Sequence, residues 1–140
     1  MRSLITPIQE RLKATPQLTG WAVRKYTESS ERKSMPAIEI RFTQAQAEDS
    51  DNRPVGLAPI YAIRIMHHIS DDSDELLDAA LQAVISRLHN WHPGQVQGKY
   101  WGRIALEEVR DDPYPEGGHS SYIVSFTSST VFHGCYFSDQ

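Results

Sequence analysis

Two segments of the sequence place apolar residues at helical spacing. The first runs from about Ser3 to Ala14, and its apolar face consists of Leu4, Ile5, Ile8 and Leu12. The second runs from about Ser73 to His89, and its apolar face consists of Leu76, Leu77, Ala80, Leu81, Val84, Ile85 and Leu88. Because such a face packs against a core in a globular domain, both segments are predicted to be amphipathic helices.

The second helix also has recognisable ends. Asp72 and Glu75 have the spacing of an N-cap residue and its partner in the first turn. Their carboxylates, with those of Asp71 and Asp74, complement the positive end of the helix dipole. The Pro93-Gly94 pair then predicts that the helix has ended.

Five further segments alternate in polarity and are predicted to be β-strands. The clearest alternation is in Ala37–Phe42, where Glu39 and Arg41 lie between apolar residues. The predicted strands are Trp21–Tyr26, Ala37–Phe42, Pro59–Ile69, Tyr100–Val109 and Ser121–Val131.

The predicted elements follow the order α-β-β-β-α-β-β. Thr27–Pro36 and Thr43–Pro54 are polar and are predicted to be surface loops. Most connections are too short for a crossover, so the strands are expected to pair mostly antiparallel. The sequence therefore predicts an α+β fold, with a single mostly antiparallel sheet packed on two helices in one domain of 140 residues.

The net charge and the hydropathy pattern argue against nucleic acid and membrane as partners of this chain. The formal net charge of −4 lacks the cationic surplus that neutralises DNA phosphates, so direct sequence-specific binding of nucleic acid is not expected. The chain has neither a signal-peptide pattern nor a run of about 18 apolar residues, so we expect no membrane partner and a cytoplasmic location.

The histidines are the strongest candidates for a metal site, but they do not have the spacing of known zinc motifs. The chain also lacks a nucleophile elbow and a glycine-rich phosphate loop. We therefore expect no enzymatic activity and no cofactor. A metal-dependent enzyme remains an alternative, with a site assembled from His67 or His68 together with His89, His92, His119 or His133.

The aromatic residues offer a second alternative. Trp21, Trp91 and Trp101, together with Tyr100, could line a pocket for a small ligand. Packing in a core or an interface is the favoured interpretation of such large side chains.

An apolar segment, Val131–Phe137, lies near the end of the sequence. Exposed apolar segments mark protein interfaces. Val131, Phe132, Tyr136 and Phe137 are therefore candidate subunit-interface residues, with docking on their own domain as the alternative.

Several segments together have a recognisable order, length and hydrophobic pattern. They are Leu4-Ile5-Thr6-Pro7-Ile8 with Leu12, Met35-Pro36-Ala37-Ile38-Glu39-Ile40, Tyr61-Ala62-Ile63-Arg64-Ile65-Met66, the helix from Asp74 to Leu88 and the closing pair of strands. In these features, and without a diagnostic motif, most of the chain resembles the small tail terminator or tail completion proteins of long-tailed phages. The apolar segment around Cys135 departs from this pattern.

This resemblance implies a structural protein of the virion tail that forms a ring, usually a hexamer, on the finished tail tube. It implies as partners further copies of the chain, the tail tube, and the head or neck proteins. Assembly would take place in the host cytoplasm. Two different faces of each subunit would have to be complementary, and the two predicted loops and the apolar C-terminus are the candidates.

Overall fold

A computed structural model describes residues 1–28, 36–47, 55–112 and 118–132. It confirms the predicted α+β fold, with two helices on a mostly antiparallel sheet. Helix α1 spans Ile5–Lys13 and helix α2 spans Ser73–Leu88. Eight strands lie in the described residues: β1 Ala22–Lys25, β2 Ala37–Ala47, β3 Val55–His68, β4 Gly94–Val96, β5 Lys99–Trp101, β6 Ala105–Asp111, β7 His119–Thr127 and β8 Thr130–Phe132.

Helix α1 continues directly from a short 3-10 turn at Arg2–Leu4. Pro7 lies in its first turn, where an amide N–H would have no helical partner, and the helix therefore tolerates it. Gln9 is buried and donates from Nε2 to the carbonyl oxygen of Val23, 3.1 Å away, which ties the helix to β1.

Helix α2 begins at the predicted position, but its N-terminus is stabilised differently. Asp72 is the N-cap residue, yet its carboxylate makes no capping hydrogen bond to the helix and instead accepts one from the Ser70 hydroxyl at 2.9 Å. The Ser73 hydroxyl donates to the Ser70 carbonyl oxygen, also at 2.9 Å. The predicted capping box is therefore wrong, and contacts between serines hold this turn.

The apolar face of α2 is narrower than the sequence predicts. Leu76 is 40% exposed, and Leu81 is only partly buried. The helix residues that are buried are Ser73, Leu77, Ala80, Ala83, Val84 and Leu88.

The five longer strands form a sheet in the order β1-β2-β3-β7-β6. Strands β1 and β2 are parallel, and the other neighbouring pairs in this order are antiparallel. Helices α1 and α2 pack on one face of this sheet, and the hydrophobic core fills the space between them.

The predicted strand Tyr100–Val109 is wrong as a single element. The chain forms a β4–β5 hairpin through Gln97 and Gly98, whose φ angles of 51° and 80° suit a tight two-residue turn. Strand β5 then ends at Trp101, because the amide of Gly102 leaves the ladder and donates to the Ser129 carbonyl oxygen at 2.7 Å. Strand β6 begins only at Ala105.

The predicted loop Thr43–Pro54 is wrong for residues 43–47, which extend β2. Thr43 forms a bulge against β3, after which Gln44 pairs with Ile60. The Thr43 hydroxyl donates to the carbonyl oxygen of Ile60 at 3.1 Å. Residues 48–54, and residues 29–35 of the other predicted loop, lie outside the described part of the chain.

Candidate functional site

The structure places the backbone of two of the four candidate interface residues. Val131 and Phe132 belong to β8 and pair with Gly56 and Val55 of β3. Tyr136 and Phe137 lie outside the described residues. The role of all four residues in subunit association remains a prediction.

The histidines are distributed over several parts of the sheet and its connections. His68 faces His119 across β3 and β7, while the ring of His67 lies 5.9 Å from that of Trp21. His89 accepts a hydrogen bond at Nδ1 from the amide of Leu106, at 3.0 Å. Within residues 1–28, 36–47, 55–112 and 118–132, no three histidine, cysteine or acidic side chains are grouped to hold a metal.

The three tryptophans have separate environments. Trp101 is fully buried in the core, which supports the packing interpretation for this residue. Trp91 lies beneath the guanidinium of Arg11, 4.7 Å from its ring centre, and Trp21 packs beside His67. Tyr100 is exposed.

A different group of residues stands out on the sheet face opposite the helices. One row of directly paired residues crosses all five longer strands, in the order Arg24, Glu39, Arg64, Ile123 and Arg110. The next row contains Arg41, Ala62, Ser125 and Glu108. Side chains at alternate strand positions share a face, so these four arginines project on the same side of the sheet.

The arginines differ in their partners. Arg24 is buried and donates from Nε to Oε2 of Glu39 at 2.9 Å. Arg64 lies 2.8 Å from the Asp112 carboxylate, and Arg110 lies 4.0 Å from that of Glu108. Their side chains are 43% and 64% exposed, so Arg64 is partly covered and Arg110 is largely open to solvent.

Arg41 is a further exposed cation on this face of the sheet. Its guanidinium lies 4.8 Å from the ring centre of Tyr26. Among the described residues no carboxylate lies within ion-pair distance of it. We call the exposed arginines Arg41 and Arg110, together with the partly exposed Arg64, the arginine face.

Two shallow depressions meet at Arg41 and Tyr26. One, of about 410 Å³, is lined by all three residues of the arginine face together with Glu39 and Ile123. The other, of about 460 Å³, is lined in part by Arg2 and Lys25. The surface around Arg41 is therefore concave and rich in cations.

A second charged surface lies at the start of α2. We call Asp71, Asp72, Asp74, Glu75 and Asp78, all of which are exposed, the acidic turn. The Asp78 carboxylate accepts a hydrogen bond from the Tyr122 hydroxyl at 2.7 Å. This hydrogen bond, with smaller contributions from burial and the nearby acidic residues, raises the pKa of Tyr122 to about 12.

The arginine face is not predicted from the sequence. The alternation of Glu39 and Arg41 with apolar residues predicts a half-buried strand, but not which residues of other strands lie beside it. Strand register decides which residues of different strands become neighbours, and the register is not visible in one sequence.

Comparison with known proteins shows a similarity of fold and no match by sequence. No protein-family model matches the sequence, and no curated protein matches it. The fold is similar to that of a chain in the solved virion of a native gene transfer agent particle, with a TM-score of 0.68 and 12% identity. The similarity covers 92% of this chain and 95% of that chain. Neither helix of the described chain has the length and apolar character needed to cross a membrane.

Proposed function

We propose that this chain is a structural protein of a phage-like virion, which forms a ring on the end of the tail tube and joins it to the head or neck. The observation that carries the proposal is the fold shared with a gene transfer agent virion chain over nearly the whole of both chains. The resemblance of the sequence pattern to tail terminators supports the more specific role in the tail.

The features of the surface suit such a role. A ring, here a hexamer, is built from head-to-tail contacts, and these require two different complementary surfaces on each subunit. The arginine face and the acidic turn are two exposed surfaces of opposite charge. This function needs no cofactor and no catalytic group, and it is exercised in the host cytoplasm during assembly and then in the virion tail.

The two alternative functions have less support. Trp101 is a core residue and is not available to line an open ligand pocket. The described histidines have no third metal ligand grouped with them. A virion role is therefore the function that the observations favour.

Deletion of the gene tests the proposal. Particles produced without the protein should have tails of irregular length that are not joined to heads, because nothing stops the tube or presents a surface to the neck. Electron microscopy measures both features, and complementation with the wild-type gene should restore uniform, joined tails. Normal, infectious or DNA-transferring particles in the deletion strain would contradict the proposal.

A further inference from the structure

We propose that the arginine face of one subunit binds the acidic turn of a second copy of this chain. This inference rests on the proposed function, because it names the pair of surfaces through which neighbouring subunits of the ring meet.

The arginine face has the properties of a surface for an acidic partner. Arg41 is exposed without a carboxylate partner among the described residues, and Arg110 is only at the limit of ion-pair distance from Glu108. Guanidinium groups bind carboxylates with two parallel hydrogen bonds, which gives such contacts a defined geometry. Arg64 is already paired with Asp112 at 2.8 Å, but the concave surface of about 410 Å³ would let an acidic segment approach the guanidinium groups of Arg41 and Arg110 together.

The acidic turn is the matching feature on the same chain. Residues 71–78 contain five carboxylates and no basic residue, and so carry a formal charge of −5. The chain as a whole has a formal net charge of −4, because it contains fourteen basic and eighteen acidic residues. The rest of the chain has fourteen basic and thirteen acidic residues and thus a formal net charge of +1. The charge is therefore separated into an acidic turn and a slightly basic remainder, and this separation favours a second copy as the partner.

The positions of the two surfaces favour a head-to-tail contact. The arginine face lies on the side of the sheet opposite the helices, whereas the acidic turn belongs to the helix layer. The acidic turn of a subunit therefore cannot cover the arginine face of that subunit. A contact between two different surfaces repeats from subunit to subunit, and it closes into a ring if the rotation between neighbours permits.

The strength of this contact should depend on salt. Exposed ion pairs contribute little individually, so several must act together. Because salt screens charges in solvent, association should weaken as ionic strength rises. This dependence distinguishes the charged contact from an apolar interface at the C-terminus.

Analytical ultracentrifugation of matched variants tests the proposal. Wild-type protein should associate with rising concentration in about 0.05 M sodium chloride and much less in about 0.5 M. Either Arg41→Glu or Asp74→Arg should weaken association by about tenfold or more. The double variant R41E/D74R should recover much of it, because both partners of the head-to-tail contact are then reversed. Lys13→Glu and Glu10→Lys, on the exposed side of α1, change the charge equally and should have little effect.

Several outcomes would overturn the inference. One is a wild-type protein that stays monomeric at every concentration in low salt, and another is association that neither charge reversal changes. A third is that Arg41→Glu abolishes binding of a duplex DNA probe while leaving self-association intact, which would assign the arginine face to nucleic acid. Thermal melts establish whether each variant is folded. If an Arg41 variant is not folded, Arg110→Glu, which changes another residue of the arginine face, is used in its place. These results are separate from the deletion phenotype, since a ring could close through other surfaces.

Discussion

Arg24 and Glu39 form an ion pair, with 2.9 Å between Nε and Oε2, on the sheet face opposite the helices. The Arg24 side chain is only 1% exposed, whereas those of Arg64 and Arg110 in the same row are 43% and 64% exposed. The pair also bridges β1 and β2, the parallel strands of the sheet. One row of residues thus has a buried ion pair at one end and an exposed cation, Arg110, at the other.

Glu39→Ala should destabilise the domain, because it removes a carboxylate partner from a buried guanidinium. Removing one member of a buried pair typically costs about 3–5 kcal/mol. Glu108→Ala is the matched control, since Glu108 forms an exposed ion pair at 4.0 Å with Arg110 of the same strand. Loss of this pair should change the free energy of unfolding by less than about 1 kcal/mol. Chemical denaturation of the two variants measures both values. Equal effects would show that burial does not strengthen the Arg24–Glu39 contact.

Two leucines of α2 provide a second matched pair. Leu88 is fully buried and Leu76 is 40% exposed, although the sequence pattern places both on the apolar face. Leu88→Ala should cost about 2–5 kcal/mol through lost burial and a residual cavity. Leu76→Ala should cost less than about 1 kcal/mol, because its side chain already contacts water. If denaturant melts show that the two variants lose similar amounts of unfolding free energy, the orientation of α2 is contradicted.

The sequence predicted the elements that are periodic over their whole length. Helix α2 was predicted from Ser73 to His89 and extends from Ser73 to Leu88, because its apolar positions repeat over four turns. Strand β2 was predicted only to Phe42, since the residues after it are polar and a bulge at Thr43 interrupts the alternation. The β4–β5 hairpin was missed because its strands are only three residues long.

The candidate site was less predictable than the fold. The acidic residues near Asp74 were visible in the sequence, but helix capping was sufficient to explain them. Arg41 and Arg110 are far apart in the sequence and become parts of one surface only through the pairing of β2, β3, β7 and β6. Long-range register of this kind is a tertiary property, so a single sequence does not reveal it.

Tyr122 should report on the acidic turn through its ionisation. The Asp78 carboxylate accepts its hydroxyl hydrogen bond and thereby favours the neutral phenol, which raises the pKa of Tyr122 from 10.0 to about 12. The contribution of this contact to stability should therefore be complete below pH 10 and be lost as the pH rises through about 12.

Asp78→Asn should lower the pKa of Tyr122, because it removes the charged acceptor. An NMR titration of the Tyr122 ring resonances measures this pKa in both proteins, and Glu107→Gln, which changes an exposed carboxylate outside the acidic turn, is the control. An unchanged Tyr122 pKa in Asp78→Asn would show that the hydrogen bond does not form in solution.

Two truncations test the apolar C-terminal segment. Removal of residues 133–140 deletes Tyr136 and Phe137 but keeps β8, so this protein should still unfold cooperatively. If the two aromatic residues lie in a subunit interface, their loss should weaken association, since burial of each large apolar side chain contributes about 1.5–3 kcal/mol.

Removal of residues 130–140 is the comparison, because it also deletes β8. This protein should be less stable, since it loses the pairing of β8 with β3 and the hydrogen bond at 3.0 Å from the Thr130 hydroxyl to the Tyr100 carbonyl oxygen. Thermal melts measure the stability of both truncated proteins, and sedimentation measures their association. If the protein that lacks only residues 133–140 is unfolded, these residues belong to the core of their own domain and the interface prediction is wrong.

Localisation of the protein in purified particles tests the virion role most directly. An antibody against the protein, or a small epitope tag on it, should label one end of the tail at the junction with the head or neck in immunoelectron microscopy. Quantitative mass spectrometry of the same particles should find a number of copies that fits a single ring, about six for a hexamer. Particles that contain no copies of the protein, while it is abundant in the cells that produce them, would contradict a role in the virion.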